Sequence, residues 1–152
     1  MALARTCIAL TTAAVILVAG VAAPASAAAT STAGPVTAGL TITPSVTAVG
    51  GQVIVVATAT NTSASPVAAS LGLDDYQYAD QVFTSVRGTP GCTPRNLHHL
   101  IYCGIQSLAP GATAGITLTL TAAAPGTDSF RTYARITYTT DDTFAYGTLT
   151  IR

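Results

Sequence analysis

Lysine and glutamate are absent from this 152-residue sequence, and charged residues of every kind make up only 8%. That share is about a third of what a soluble domain carries. With 49% hydrophobic residues, the composition excludes a charge-rich disordered chain, which needs low hydrophobicity and high net charge. Solubility falls to Thr, Ser and the backbone of turns. The few cations are all arginine: Arg5, Arg87, Arg95, Arg131, Arg135 and Arg152. So sparse a set offers no basic track for phosphates, which disfavours nucleic acid as a partner. With no Lys/Arg cluster, an anionic membrane surface is disfavoured for the same reason.

Long helical stripes are also missing. Beyond the N-terminal region no run of ten or more residues repeats its apolar positions every 3.6 residues. No G-x-S-x-G elbow sets a serine beside a base and an orienting acid, so hydrolase chemistry finds no frame. The aspartates fall where turns or strand ends are expected, which is where a short carboxylate caps local backbone. They are Asp74, Asp75, Asp80, Asp128, Asp141 and Asp142. Neither Asp-Asp pair lies in a D-x-D-x-D-G calcium loop. The reading is therefore of a chain with no catalytic residues, no metal site and no cofactor.

The N-terminus is the strongest positive feature. Arg5 supplies the charge, Cys7–Val21 is almost wholly apolar, and Ala25-Ser26-Ala27 provides a small-residue cleavage site. That is a secretory leader over residues 1–27. Its apolar run is short of the about 20 residues a spanning helix needs, so no membrane span is expected after cleavage. Removal takes Arg5 and Cys7 with it and leaves five arginines against six aspartates.

Two cysteines remain, Cys92 and Cys103, in a chain bound for an oxidising compartment, and an even count there reads as a disulfide. The competing reading is a metal site, because His98 and His99 lie between them. The Cys-His-His-Cys order lacks the paired short spacing of zinc fingers and ribbons.

Residues 28–39 are small and read as a flexible spacer. From Leu40 to Arg152 short apolar runs alternate with Gly, Pro, Asn and Asp. Gln52–Thr60 is apolar on both phases, which predicts a central strand or one buried on both sides. Ile116, Leu118 and Leu120 alternate with Thr117, Thr119 and Thr121, the clearest strand in the chain. Phe130, Ala134, Ile136 and Tyr138 are expected inward, with Arg131, Tyr133, Arg135 and Thr137 outward; Leu149 and Ile151 point in. Asn61-Thr62-Ser63 fits a glycosylation sequon, but turn chemistry accounts for it. Seven to eight short strands with a turn every 8–14 residues or so predict an all-β, immunoglobulin-like antiparallel β-sandwich with Greek-key connections.

The stretch from Cys92 to Ala134 holds two cysteines, the turn Leu108-Ala109-Pro110-Gly111, a threonine-rich strand Ile116–Thr121, Gly126, and a strand with a central alanine. It resembles the bacterial secreted repeat called domain of unknown function eleven. The N-terminal half, VATATNTSASPVAASLGLDD, is similar to that family's strand, asparagine turn, strand and terminal aspartate. The likeness spans about residues 40–140. It implies an immunoglobulin-like sandwich of surface and secreted proteins without known catalysis. A second likeness lies in the Ala/Thr-rich composition and the opening Thr41–Ser45 strand, which resemble actinobacterial chromophore-carrying apoproteins. It implies a carrier of a small apolar ligand.

Arg131, Tyr133 and Arg135 share one outward strand face, and Tyr and Arg are enriched at binding hot spots. They form the candidate binding patch; an ordinary solvated face with cross-strand pairs is the plain alternative. The functional expectation is a secreted, non-enzymatic module contacting a protein or cell-envelope partner.

Overall fold

The computed structural model describes residues 25–32, 34–75, 81–97 and 100–152. The leader through residue 24 and the pair His98-His99 lie outside the described residues. Eleven strands are described: β1 (Ala27–Thr32), β2 (Val36–Thr43), β3 (Val46–Thr47), β4 (Gln52–Asn61), β5 (Val67–Asp75) and β6 (Gln81–Gly88), followed by β7 (Arg95–Leu97), β8 (Leu100–Leu108), β9 (Thr113–Ala122), β10 (Gly126–Ile136) and β11 (Thr143–Ile151). They form two layers, a five-stranded sheet β1-β2-β4-β9-β6 and a six-stranded sheet β3-β11-β10-β5-β8-β7. Pairing is antiparallel except for β3, which runs parallel to β11. The chain crosses between sheets at most of its turns, the exceptions being β1–β2, β7–β8 and β10–β11, so neighbours such as β4 and β9, or β5 and β10, are distant in sequence.

Alternation of side chains builds the interior. Val36, Ala38, Leu40 and Ile42 of β2, Val53, Val55, Ala57 and Ala59 of β4, and Ile116, Leu118 and Leu120 of β9 are all buried. They face Ala69, Leu71 and Leu73 of β5, Ile101 and Ile105 of β8, Phe130 of β10, and Leu149 and Ile151 of β11. Each large aliphatic side chain removed from water contributes about 1.5–3 kcal/mol. The core needs little else to hold two sheets together.

The structure corrects three expectations and, for Gln52–Thr60, selects the central strand over one buried on both sides. Residues 28–39 are not a spacer: β1 pairs with β2 from Ala27↔Ile42 to Thr32↔Thr37. Small side chains lack the apolar contrast that marks a strand, yet the backbone ladder does not require it. Gln52–Thr60 is central but buried on one face only, because Ile54 stays 46% exposed while Val53 and Val55 are enclosed. Asp128 is not at a turn. β10 begins at Gly126, which puts Asp128 on the inward phase with Phe130 and Thr132, fully buried. Tyr138 is not inward: it lies beyond the end of β10, fully exposed, with a φ of 69°.

Two ties lock the turns. Cys92 and Cys103 form a disulfide with Cα atoms 5.4 Å apart, fastening the segment after β6 to the inward face of β8. Closing a loop with a sequence separation of 11 stabilises by about 3 kcal/mol in the chain-entropy picture. The second tie is Asn61. Its buried amide donates to Ser65 O and Leu108 O, each at 2.8 Å, and accepts from the Ser63 N–H and hydroxyl. Its backbone accepts from Gly111 N at 2.8 Å and donates to Ala112 O at 3.0 Å. The asparagine turn and the Leu-Ala-Pro-Gly turn therefore meet in space. Gly111, at a φ of 71°, takes the left-handed position that a Pro-Gly turn requires. The sequon asparagine is fully engaged in this knot.

Replacing Asn61 by Ala strands the buried Leu108 carbonyl and the Ser63 N–H, while Ser65 O and the Ser63 hydroxyl keep each other. The expected loss is about 2–4 kcal/mol, read as a lower urea midpoint with an unchanged slope; a change within error would mean the knot is dispensable.

Candidate functional site

The outward residues of the six-stranded sheet line up in rows across the strands. The register places Phe144 of β11 opposite Tyr133 of β10, Tyr133 opposite Gly72 of β5, Gly72 opposite Tyr102 of β8, and Tyr102 opposite Arg95 of β7. Gly72 is the notch in this row. A Cβ built there would fall onto ring carbons of Tyr133, so the tyrosine lies down over the backbone of β5. No residue with a side chain fits that position without moving the ring.

The two arginines of the expected patch bracket the row. Arg131 donates through Nε to Asp74 Oδ2 at 3.0 Å and through a terminal nitrogen to the same oxygen, and its guanidinium lies 5.4 Å from the Phe144 ring centre. Arg135 pairs with Asp142 at 3.6 Å and sits 5.7 Å from the centre of the Tyr133 ring. Tyr133 and Phe144 are tilted neighbours at 6.5 Å, and Phe144 continues to Tyr146 at 6.3 Å with nearly parallel planes. Tyr146 is 61% exposed and forms the open end of the aromatic run.

Partly exposed ion pairs at a surface such as these stabilise a fold by about 1 kcal/mol or less each. Their consequence here is geometric. Each carboxylate holds a guanidinium over a ring, where cation and π face attract, so these side chains are restrained in place. Binding then loses less side-chain entropy. Charge cancels within the patch, two guanidiniums against two carboxylates.

The structure thus places Arg131, Tyr133 and Arg135 on one face as the sequence implied. It adds Gly72, Phe144, Tyr146 and Tyr102, and it gives Asp74 and Asp142, read from the sequence as turn aspartates, a place beside the two arginines. The phase of Phe144 and Tyr146 was readable, since Leu149 and Ile151 inward put both outward. Their proximity to β10 follows from strand pairing, and Asp74 and Tyr102 come from strands distant in sequence. Among the described residues no three His, Cys, Asp or Glu side chains gather as a metal site would need.

Comparison with known proteins supports the architecture. A cohesin module from a Clostridium perfringens ATCC13124 family 33 glycoside hydrolase superposes with a TM-score of 0.58 at 6% identity, over 76% of this chain and 95% of that one. The seventh ScaB type I cohesin from Pseudobacteroides cellulosolvens gives 0.51 at 12% identity, over 70% and 87%. The chain shares its sandwich with cohesin modules. At these identities the likeness is one of fold. No family model and no curated protein matches the sequence, so the resemblance to domain of unknown function eleven stands on its residues, and the sandwich it implies is the one observed.

Partial burial pushes the Tyr133 hydroxyl above its ordinary value of 10.0; Arg135 acts in the opposite direction, while Asp74, Tyr102 and Asp142 add to the rise. The folded chain therefore holds this proton more tightly than the unfolded chain does. The resulting stability is complete below about pH 10 and is lost as pH climbs through the folded value. Urea unfolding between neutral and strongly alkaline pH should show that decline, and Tyr133→Phe should make it shallower. An identical decline in the variant would show that Tyr133 is not the group responsible.

Proposed function

We propose that this chain is an exported, non-catalytic interaction module that grips a protein of the cell surface or its surroundings through the outer face of its six-stranded sheet. Arg131, Tyr133 and Arg135 form the centre of the contact, with Phe144 and Tyr146 extending it. The observation that carries the reading is the ordered aromatic-arginine row over Gly72, ending in the exposed Tyr146 ring. Preorganised Tyr and Arg groups are the residue types that concentrate binding energy.

Export rests on the leader-like residues 1–27 and on the Cys92–Cys103 disulfide, a bond that persists in oxidising compartments. No described helix is long and apolar enough to cross a membrane. The cohesin neighbour belonging to a glycoside hydrolase is itself a module of a larger protein, a precedent for this sandwich as one part of an assembly. A carrier of an apolar ligand would need a deep cleft between the sheets. The interior is instead filled by the aliphatic set of β2, β4, β5 and β9, and the larger depressions described lie open on the surface.

The test is capture. Immobilised exported protein should enrich a specific partner from the producing organism's envelope and secreted fractions after mild crosslinking. The Tyr146→Ala/Arg135→Ala double variant, with an unfolding midpoint near wild type, should lose about tenfold or more of that enrichment, roughly 1.4 kcal/mol. Equal enrichment by the variant would exclude this face.

A further inference from the structure

A second feature of the same sheet borders the aromatic-arginine patch and meets it at Tyr102. Tyr138 is fully exposed and its backbone is left-handed, at a φ of 69°. A bulky residue there is strained where glycine or asparagine would not be. The local turn is otherwise well made: Thr139 N and its hydroxyl both reach Ile136 O, at 3.2 and 2.9 Å, and Thr137 N reaches Ala68 O at 2.9 Å. Neither packing nor turn geometry accounts for a tyrosine at this place. An outlier of that kind, on a surface, points towards use.

The ring stands at one side of an open depression of ≈340 Å³, with Tyr102 on its lining and Gly104, Ala68 and Ile105 beneath. A second depression of ≈430 Å³ shares Gly104 and Gln106 and continues to Thr93 and Gly91. The two make one groove crossing β8. Ser70, 2% exposed, joins its walls: its hydroxyl lies 3.1 Å from the Tyr102 hydroxyl and 3.5 Å from that of Thr137. Gly104 keeps the floor low.

The lining carries no charge. It offers phenol rings, hydroxyls and the Gln106 amide, which both donate and accept. Such a mixture suits a ligand with apolar C–H faces and a rim of hydroxyls. The groove is also open to solvent. An added peptide strand is the other ligand an edge could take. Here the segment through Gly91 and Thr93, pinned by the disulfide beside it, borders the outer side of β8 where such a strand would lie.

We propose that this groove binds an unbranched neutral oligosaccharide, with Tyr138 and Tyr102 stacking on sugar faces and Gln106 and Thr137 bonding the hydroxyls. The site does not depend on the protein contact proposed above, and the two separate by mutation.

The experiment uses calorimetry of the exported protein with soluble tetrasaccharides of β-1,4-glucan, β-1,4-mannan, β-1,4-xylan and α-1,4-glucan, and with a proline-rich decapeptide. At least one tetrasaccharide should bind. Tyr138→Gly relieves the left-handed backbone, so its unfolding midpoint should hold or rise while affinity falls about tenfold or more. Gln106→Ala should weaken the same sugar, and Tyr146→Ala should leave it unchanged. No binding across the four sugars, binding indifferent to Tyr138→Gly, or competition by the decapeptide alone would overturn the proposal.

Discussion

The outer face of the six-stranded sheet is shaped by a side chain that is not there. Because Gly72 offers no Cβ, the Tyr133 ring can lie across β5 instead of standing away from β10. Once that ring is down, Arg135 covers it from one side and Phe144 meets it from the other. Arg131, fixed by Asp74, then closes over Phe144. Close cross-strand neighbours are the unit from which a sheet face gains its order, and here one glycine decides which neighbours can touch. Thr132 adds to the same junction from beneath, its hydroxyl donating to Gly72 O at 2.8 Å.

The sandwich beneath holds this face in place. The inward aliphatics leave β10 and β5 central in their sheet, each paired on both sides. The chain ends and turns are fastened separately. The disulfide holds the approach to β8, Asn61 ties two turns at one end, and Thr143 spans the layers by donating to Val36 O at 2.9 Å. The opposite sheet presents a different surface, rows such as Thr41, Val56, Thr117 and Arg87 in register, with hydroxyls and methyls in place of rings beside the single guanidinium of that row.

Much of this was legible in the residues. Period-two alternation in β9 indicated which side chains face in, and the pair Cys92 and Cys103 indicated their bond. Arg131, Tyr133 and Arg135 were readable as a shared face because that needs only one strand. The remainder of the patch was not, since Asp74, Gly72 and Tyr102 reach it through pairings between strands far apart in the chain. Residues 28–39 escaped notice because alanine, serine and threonine give no apolar contrast. Asp128 was misplaced by the rule that aspartates mark turns, and Tyr138 by extending β10's alternation past the point where the chain turns left-handed.

The direct measurement of the central claim is hydroxyl-radical footprinting of the protein with and without its captured partner. Radicals modify exposed aromatic and aliphatic side chains, so the two sheets report separately. The account predicts protection of Tyr133, Phe144 and Tyr146 on complex formation, with Ile54 on the five-stranded sheet still reactive. Protection of Ile54 while the three rings remain open to attack would contradict it.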